Sequence, residues 1–157
     1  MSHSIRFIEE KEARRAQEMA DFDTKEKIQA SIDASPFSAF CGIGIEEMDK
    51  SEGRLVMRMP MKPEMERQAG SGQMHGGPIA CLVDTAACFV CMLVLGHGVP
   101  TVNFRVDYLR PVVESGLLAV ARLRRAGRTV AVADVDVFND DGKLVATGRG
   151  TFSTSAG

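Results

Sequence analysis

The chain lacks a charge excess of either sign: 19 Lys and Arg stand against 21 Asp and Glu, a formal net charge of -2 over 157 residues. A protein that follows a nucleic-acid backbone concentrates positive charge, so the balance gives no reason to expect such a partner. Paired CxxC motifs and Cys/His metal patterns are also lacking. Cys81, Cys88 and Cys91 share one apolar stretch, and together with Cys41 they read as buried, reduced thiols, with no metal site expected. The opening residues MSHSIRFIEEKEARRAQEMA hold no apolar core followed by a small-residue cleavage site. The expectation is a cytoplasmic protein with no leader and no membrane anchor. No internal repeat or low-complexity tract is found.

What is present is the composition of one soluble globular domain, 45% hydrophobic and 25% charged. From Ser4 to about Ala34 the chain is charged and helix-favouring, with Ile5, Ile8, Ala13, Ala16, Met19 and Ala20 at helical spacing. Ser35-Pro36 ends that stretch, so residues 1–34 read as an N-terminal helical extension and 35–157 as the main domain. Cys41, Ile43 and Ile45 share one parity, and Leu55, Met57 and Met59 alternate with arginines, which predicts two half-exposed strands. Pro60 to Gly72 has neither period and reads as a loop leading to His75.

Gly76-Gly77-Pro78 and a closing Gly96 bracket a run to Leu95 that is apolar except at Asp84 and Thr85. Gly then Pro at the start and Gly at the end predict a helix, here one buried all round. The run approaches the roughly 20 apolar residues that span a bilayer. An Asp near its middle would be costly in lipid, and the amphipathic strands around it need an apolar cover for one sheet face. Four more strands are expected over 101–110, 117–125, 129–138 and 144–152, with the connections between them read as antiparallel hairpins. The architecture is α+β: one long central helix wrapped by a six-stranded antiparallel sheet, with an extra N-terminal helix.

Asp84 carries the chemistry. A carboxylate among Ile79, Leu82, Val83, Ala86, Ala87 and Phe89 must be paired, protonated or placed at a cleft, and burial alone raises its pKa. It lies more than a turn beyond Pro78, too deep to cap the helix, which leaves an internal salt bridge or a general base or nucleophile. His75-Gly76-Gly77 supplies a second element, since glycines ahead of a helix let backbone N–H groups face a ligand oxygen. A tight turn and a loop hydrogen bond from His75 explain the same residues equally well. Eight helical residues, a rise of roughly 12 Å, separate Gly76 from Asp84, so one carbonyl cannot touch both within one chain. If both act on it they come from neighbouring subunits, and the working unit is at least a homodimer.

The stretch GQMHGGPIACLVDTA, from Gly72 to Ala86, resembles the signature of hot-dog-fold acyl-CoA thioesterases of the phenylacetate-degradation type. The similarity runs on through TVNFRVDYLRP, the basic turn Ala126-Gly127-Arg128 and the closing NDDGKLVATGRG, covering about residues 37–153. The resemblance implies a hot-dog fold, Asp84 as nucleophile or general base, and a Gly76 amide that polarises the thioester carbonyl across a dimer interface. It implies that Thr101 helps orient the attacking water and that His75, Gly77, Gln73, Asn103 and Arg128 meet the acyl-CoA substrate. No cofactor is implied beyond the coenzyme A of the substrate, and dimers are expected to pair further. The chain departs from the family at Ala69, where Asn is frequent, and Gln68, Ser71 or Gln73 stand near enough to substitute.

Arg105, Arg110, Arg122, Arg124, Arg125 and Arg128 could reach coenzyme A phosphates. Arg122 and Arg124 also share parity opposite Asp134 and Asp136, which predicts ordinary cross-strand ion pairs. Two other functions fit the same pattern: a non-catalytic acyl-CoA-binding protein, and a hot-dog hydratase or dehydratase using His75 with the carboxylate.

Overall fold

The computed structural model describes residues 22–155. The apolar stripe from Ile5 to Ala20 lies outside them. Helix α1, Lys25–Asp33, starts at Thr24, whose hydroxyl accepts from the Lys27 N–H at 3.3 Å. Its Ile28 and Ile32 are wholly buried. Gln29 donates to the Ile43 carbonyl at 3.1 Å and accepts from the Ile45 N–H at 2.9 Å, so a side chain satisfies backbone groups on the rim of the sheet. The boundary at residue 34 therefore does not divide two cores; α1 packs into the main one.

Ser35-Pro36 punctuates the chain by starting a second short helix, α2, Pro36–Cys41. Ser35 caps it and proline occupies its first turn, where no N–H is required. The expected strand through Cys41 is therefore corrected: Cys41 ends α2, and Gly42, at φ 69°, turns the chain into β1, Gly44–Asp49. Local capping outweighed the alternation of Cys41, Ile43 and Ile45. β2, Arg54–Met59, follows as predicted, and the loop after it holds one 3-10 turn at Pro63–Met65.

The long helix, α3, spans Gly76–Leu95 and ends on Gly96 in the left-handed conformation. Then come β3 (Thr101–Tyr108), β4 (Leu117–Ala126), β5 (Val130–Asn139) and β6 (Leu144–Ser153). All six strands form one antiparallel sheet in the order β1-β2-β4-β5-β6-β3. The expected hairpins β4–β5 and β5–β6 are there, but β3 and β4 are not neighbours. β3 pairs with β6 at the far edge, and the connection crosses over the end of α3, tied down by the Met74 N–H bonding the Val112 carbonyl at 2.9 Å. Pro111, with no N–H to give a ladder, suits that crossing.

The inner sheet face is small where the helix comes closest. A Cβ at Gly148 would lie 2.5 Å from Val83 Cγ1 and 2.7 Å from the Arg105 carbonyl, and one at Gly150 would lie 3.1 Å from the Ala87 Cβ. Two glycines on β6 thus let α3 sink into the concave face. Leu82, Val83, Ala86, Ala87, Val90, Cys91 and Leu93 are buried there. A fully buried Leu or Val contributes about 1.5–3 kcal/mol relative to exposure. α3 is long and apolar enough to cross a membrane, but it is the core helix of this sheet, packed against β2, β4, β5 and β6. It is not buried all round: Cys81, Asp84, Thr85, Cys88 and Phe89 form a half-exposed stripe. The outer face carries the predicted ion pairs, Arg124–Asp134 at 2.7 Å and Arg122–Asp136 at 3.8 Å, with Arg149 joining Asp134 at 2.6 Å.

Candidate active site

Asp84 sits on the half-exposed stripe of α3, half-buried, with no ion pair among the described residues. The internal salt bridge is therefore not its explanation. Burial pushes its pKa above the ordinary carboxylate value, and one hydrogen bond opposes that shift: the Thr101 hydroxyl donates to Asp84 Oδ1 at 3.1 Å. Oδ2 has no protein partner among the described residues. Thr101 opens β3, the strand that runs along the exposed side of the helix.

The start of α3 is organised by the loop before it. The His75 N–H bonds the Met65 carbonyl at 2.8 Å, and Glu66 accepts from the Gly70 and Gly72 amides, gathering residues 66–75 into a compact turn. His75 is the N-cap: its Nδ1 accepts from the Gly77 N–H at 2.9 Å. That bond uses the Gly77 amide, so Gly77, expected to meet substrate, instead serves the cap. Pro78 has no N–H. Among the first three positions of the helix, only the Gly76 N–H has no partner within the described residues. Helix dipole and position make it a donor for a developing negative charge.

Tyr108 was not anticipated. Its hydroxyl donates to the Gly76 carbonyl at 3.0 Å, and its ring lies 3.3 Å from where a Cβ on Gly76 would be. A bulge hid it. Thr101 and Tyr108 are seven residues apart, which simple alternation assigns to opposite faces. The register moves three residues from Thr101 to Phe104 while β6 moves two, from Phe152 to Gly150, so both Thr101 and Tyr108 face the helix. The same bulge sets Asn103 opposite Thr151 on the outer face, away from Asp84, which separates it from the rest of the expected site. The signal available in the sequence was that Tyr108 is the chain's only tyrosine.

A cavity of about 360 Å³ opens beside Gly76, lined by Gln73, Met74, Ile79 and Tyr108 and reached by Arg67 and Arg110. Gln73 is thus next to Gly76. Arg128 is not; it is exposed in the β4–β5 turn, and among the described residues no ion pair holds it or Arg125, whereas Arg105, Arg122 and Arg124 are all paired. Cys88 and Cys91 have CxxC spacing, but burial pushes both thiols up to about 12, and Cys81 up to about 11. A nucleophilic or redox thiol needs the opposite shift.

A long core helix wrapped by one six-stranded antiparallel sheet is the hot-dog fold. Residues 71–146 match the family model described as Thioesterase superfamily. The chain is 31% identical to the medium/long-chain acyl-CoA thioesterase YigI of Salmonella typhimurium, over 74% of this chain and 84% of that protein. It is 30% identical to human acyl-coenzyme A thioesterase 13, over 81% of this chain and 91% of that one. The solved structure of the Escherichia coli PaaI protein from the phenylacetic acid degradation operon superposes with a TM-score of 0.71 at 30% identity, covering 82% of this chain and 90% of that one. This chain belongs to the thioesterase superfamily and is a thioester hydrolase.

Proposed function

We propose that the protein hydrolyses acyl-CoA thioesters, with Asp84 as general base or nucleophile and the Gly76 N–H of a neighbouring subunit as the carbonyl-polarising donor. The observation that carries this reading is the contrast between two groups on one helix: a carboxylate with one oxygen, and an amide, that have no partner among the described residues. As base, Asp84 takes a proton from water; the oxygen attacks the thioester carbon, and the oxyanion that forms is held by the amide. Collapse breaks the C–S bond, and the departing thiolate takes the proton held by Asp84, which releases the acid and the coenzyme A thiol and restores the carboxylate. As nucleophile, the carboxylate attacks first, and water then cleaves the mixed anhydride. Neither route draws on a metal or an organic cofactor.

The roughly 12 Å between the two groups along one helix is why the reading requires two chains. Support comes from β3, which among the described residues pairs only with β6 and leaves its other edge open. Val102, Phe104 and Tyr108 are exposed along it, at 63%, 39% and 54%, an apolar edge that a monomer would not leave bare. Pairing of two such edges brings two α3 helices side by side. Arg128 and Arg125, at one turn and with no ion pair among the described residues, are the arginines proposed to meet coenzyme A phosphates. A cytoplasmic location and further pairing of dimers belong to the same reading. The acyl-CoA-binding and hydratase alternatives gain nothing from the site, where His75 Nδ1 is committed to the helix cap.

The test is thiol release from a panel of acyl-CoA esters. Asp84→Asn is expected to lower kcat by at least about a thousandfold with the dimer intact. Turnover at the native rate in that variant would remove Asp84 from the reaction.

A further inference from the structure

Gly-Gly is the least constrained dipeptide a chain offers, yet the proposed donor is an N–H within it, and electrostatic catalysis depends on donors that do not reorient. The peptide unit between Gly76 and Gly77 is held at both ends by side chains. Its carbonyl accepts from the Tyr108 hydroxyl at 3.0 Å, and its N–H donates to His75 Nδ1 at 2.9 Å. The two clamps come from opposite sides: His75 from the cap, and Tyr108 from the last position of β3. Tyr108 also lies close enough to Gly76 that a Cβ there would be 3.3 Å from its Cε1, Cζ and hydroxyl oxygen.

We propose that Tyr108 is a positioning residue of the thioesterase site, which aims the Gly76 N–H by clamping the Gly76–Gly77 peptide against the His75 cap. The inference rests on the reading that Gly76 polarises the thioester carbonyl. Tyr108 touches no reacting atom in this scheme. It restrains ψ of Gly76 and φ of Gly77, and so the angle at which the preceding amide leaves the helix. Because Tyr108 lies on the exposed β3 edge, the clamp also couples the donor to whatever pairs with that edge.

Tyr108→Phe keeps the ring and removes only the hydroxyl. In the full-length protein it should lower kcat about tenfold with KM within about twofold, because a misaimed oxyanion donor weakens the transition state more than the bound ester. The second readout does not need turnover. In Asp84→Asn protein saturated with octanoyl-CoA, the infrared stretch of the thioester carbonyl should shift to lower frequency than in water, and adding Tyr108→Phe should remove much of that shift. A purely structural role for Tyr108 would lower the melting temperature and leave the carbonyl frequency unchanged, and that result overturns the proposal. So does full kcat in Tyr108→Phe; an inactive Asp84→Asn beside it shows that the thioesterase mechanism stands without the clamp. Wild-type turnover in Asp84→Asn overturns both.

Discussion

At the scale of single residues, the site is a competition over one carboxylate. Burial raises the pKa of Asp84 and the Thr101 hydrogen bond lowers it, with burial the larger effect. The proposed base must be ionised, so activity should fall as pH drops through that raised pKa, and the acid limb of kcat/KM should lie above the range of an exposed aspartate. Thr101→Val removes the opposing hydrogen bond and should move that limb to higher pH. At neutral pH it should cost about fivefold in kcat/KM, the equivalent of one hydrogen bond of about 1 kcal/mol. A pH–rate profile of the two proteins checks the sign; a limb displaced toward acid would mean that Thr101 does not stabilise the charged form. Residue identity was enough to single out Asp84, because a lone acid in an apolar run needs a reason. It was not enough for Tyr108, whose relevance depends on a bulge six residues upstream.

At the scale of elements, α3 was legible from its punctuation: Gly-Gly-Pro at one end, Gly96 at the other and apolar residues between. The strands were legible from alternation, most plainly β4, β5 and β6, which bury one face against that helix. The order of the strands was not. A hairpin and a crossover look alike when the connection is short, and only pairing with β6 placed β3 at an edge. The closeness of helix and sheet rests on Gly148 and Gly150, and it is open to test. Gly148→Ala puts a methyl carbon 2.5 Å from Val83 Cγ1 and should destabilise the fold by about 1–3 kcal/mol through overpacking. Chemical denaturation measures it, and a variant as stable as the parent would show that α3 has room to shift. Cys41 teaches the converse lesson. Three alternating apolar residues read as a strand, but a Ser-Pro helix start and a left-handed Gly42 claimed the first of them.

At the scale of the whole molecule, the proposed chemistry belongs to a pair of chains. If each site takes Asp84 from one subunit and Gly76 from the other, two inactive proteins can complement each other. Gly76→Pro removes the amide at a first helical position that tolerates proline, and Asp84→Asn removes the base. Co-refolded in equal amounts, random pairing makes half of the dimers mixed, each with one intact site, so about a quarter of native activity should return. No recovery, with mixed dimers present by native mass spectrometry, would place both groups in one subunit. Co-expression offers the same comparison without refolding.

By itself the sequence determined the central helix, the number of strands and the family, and it singled out the acid on that helix as the candidate, because periodicity, capping and a misplaced charge are local properties written in neighbouring residues. Only the tertiary structure decided that β3 lies at an edge of the described sheet, that a bulge turns Thr101 and Tyr108 to the same side, and that His75 consumes the Gly77 amide and leaves that of Gly76 without a partner among the described residues. Each of these depends on contacts between residues distant in the chain or on one extra residue in a ladder. A pattern read along one strand carries no information about which strand will lie beside it.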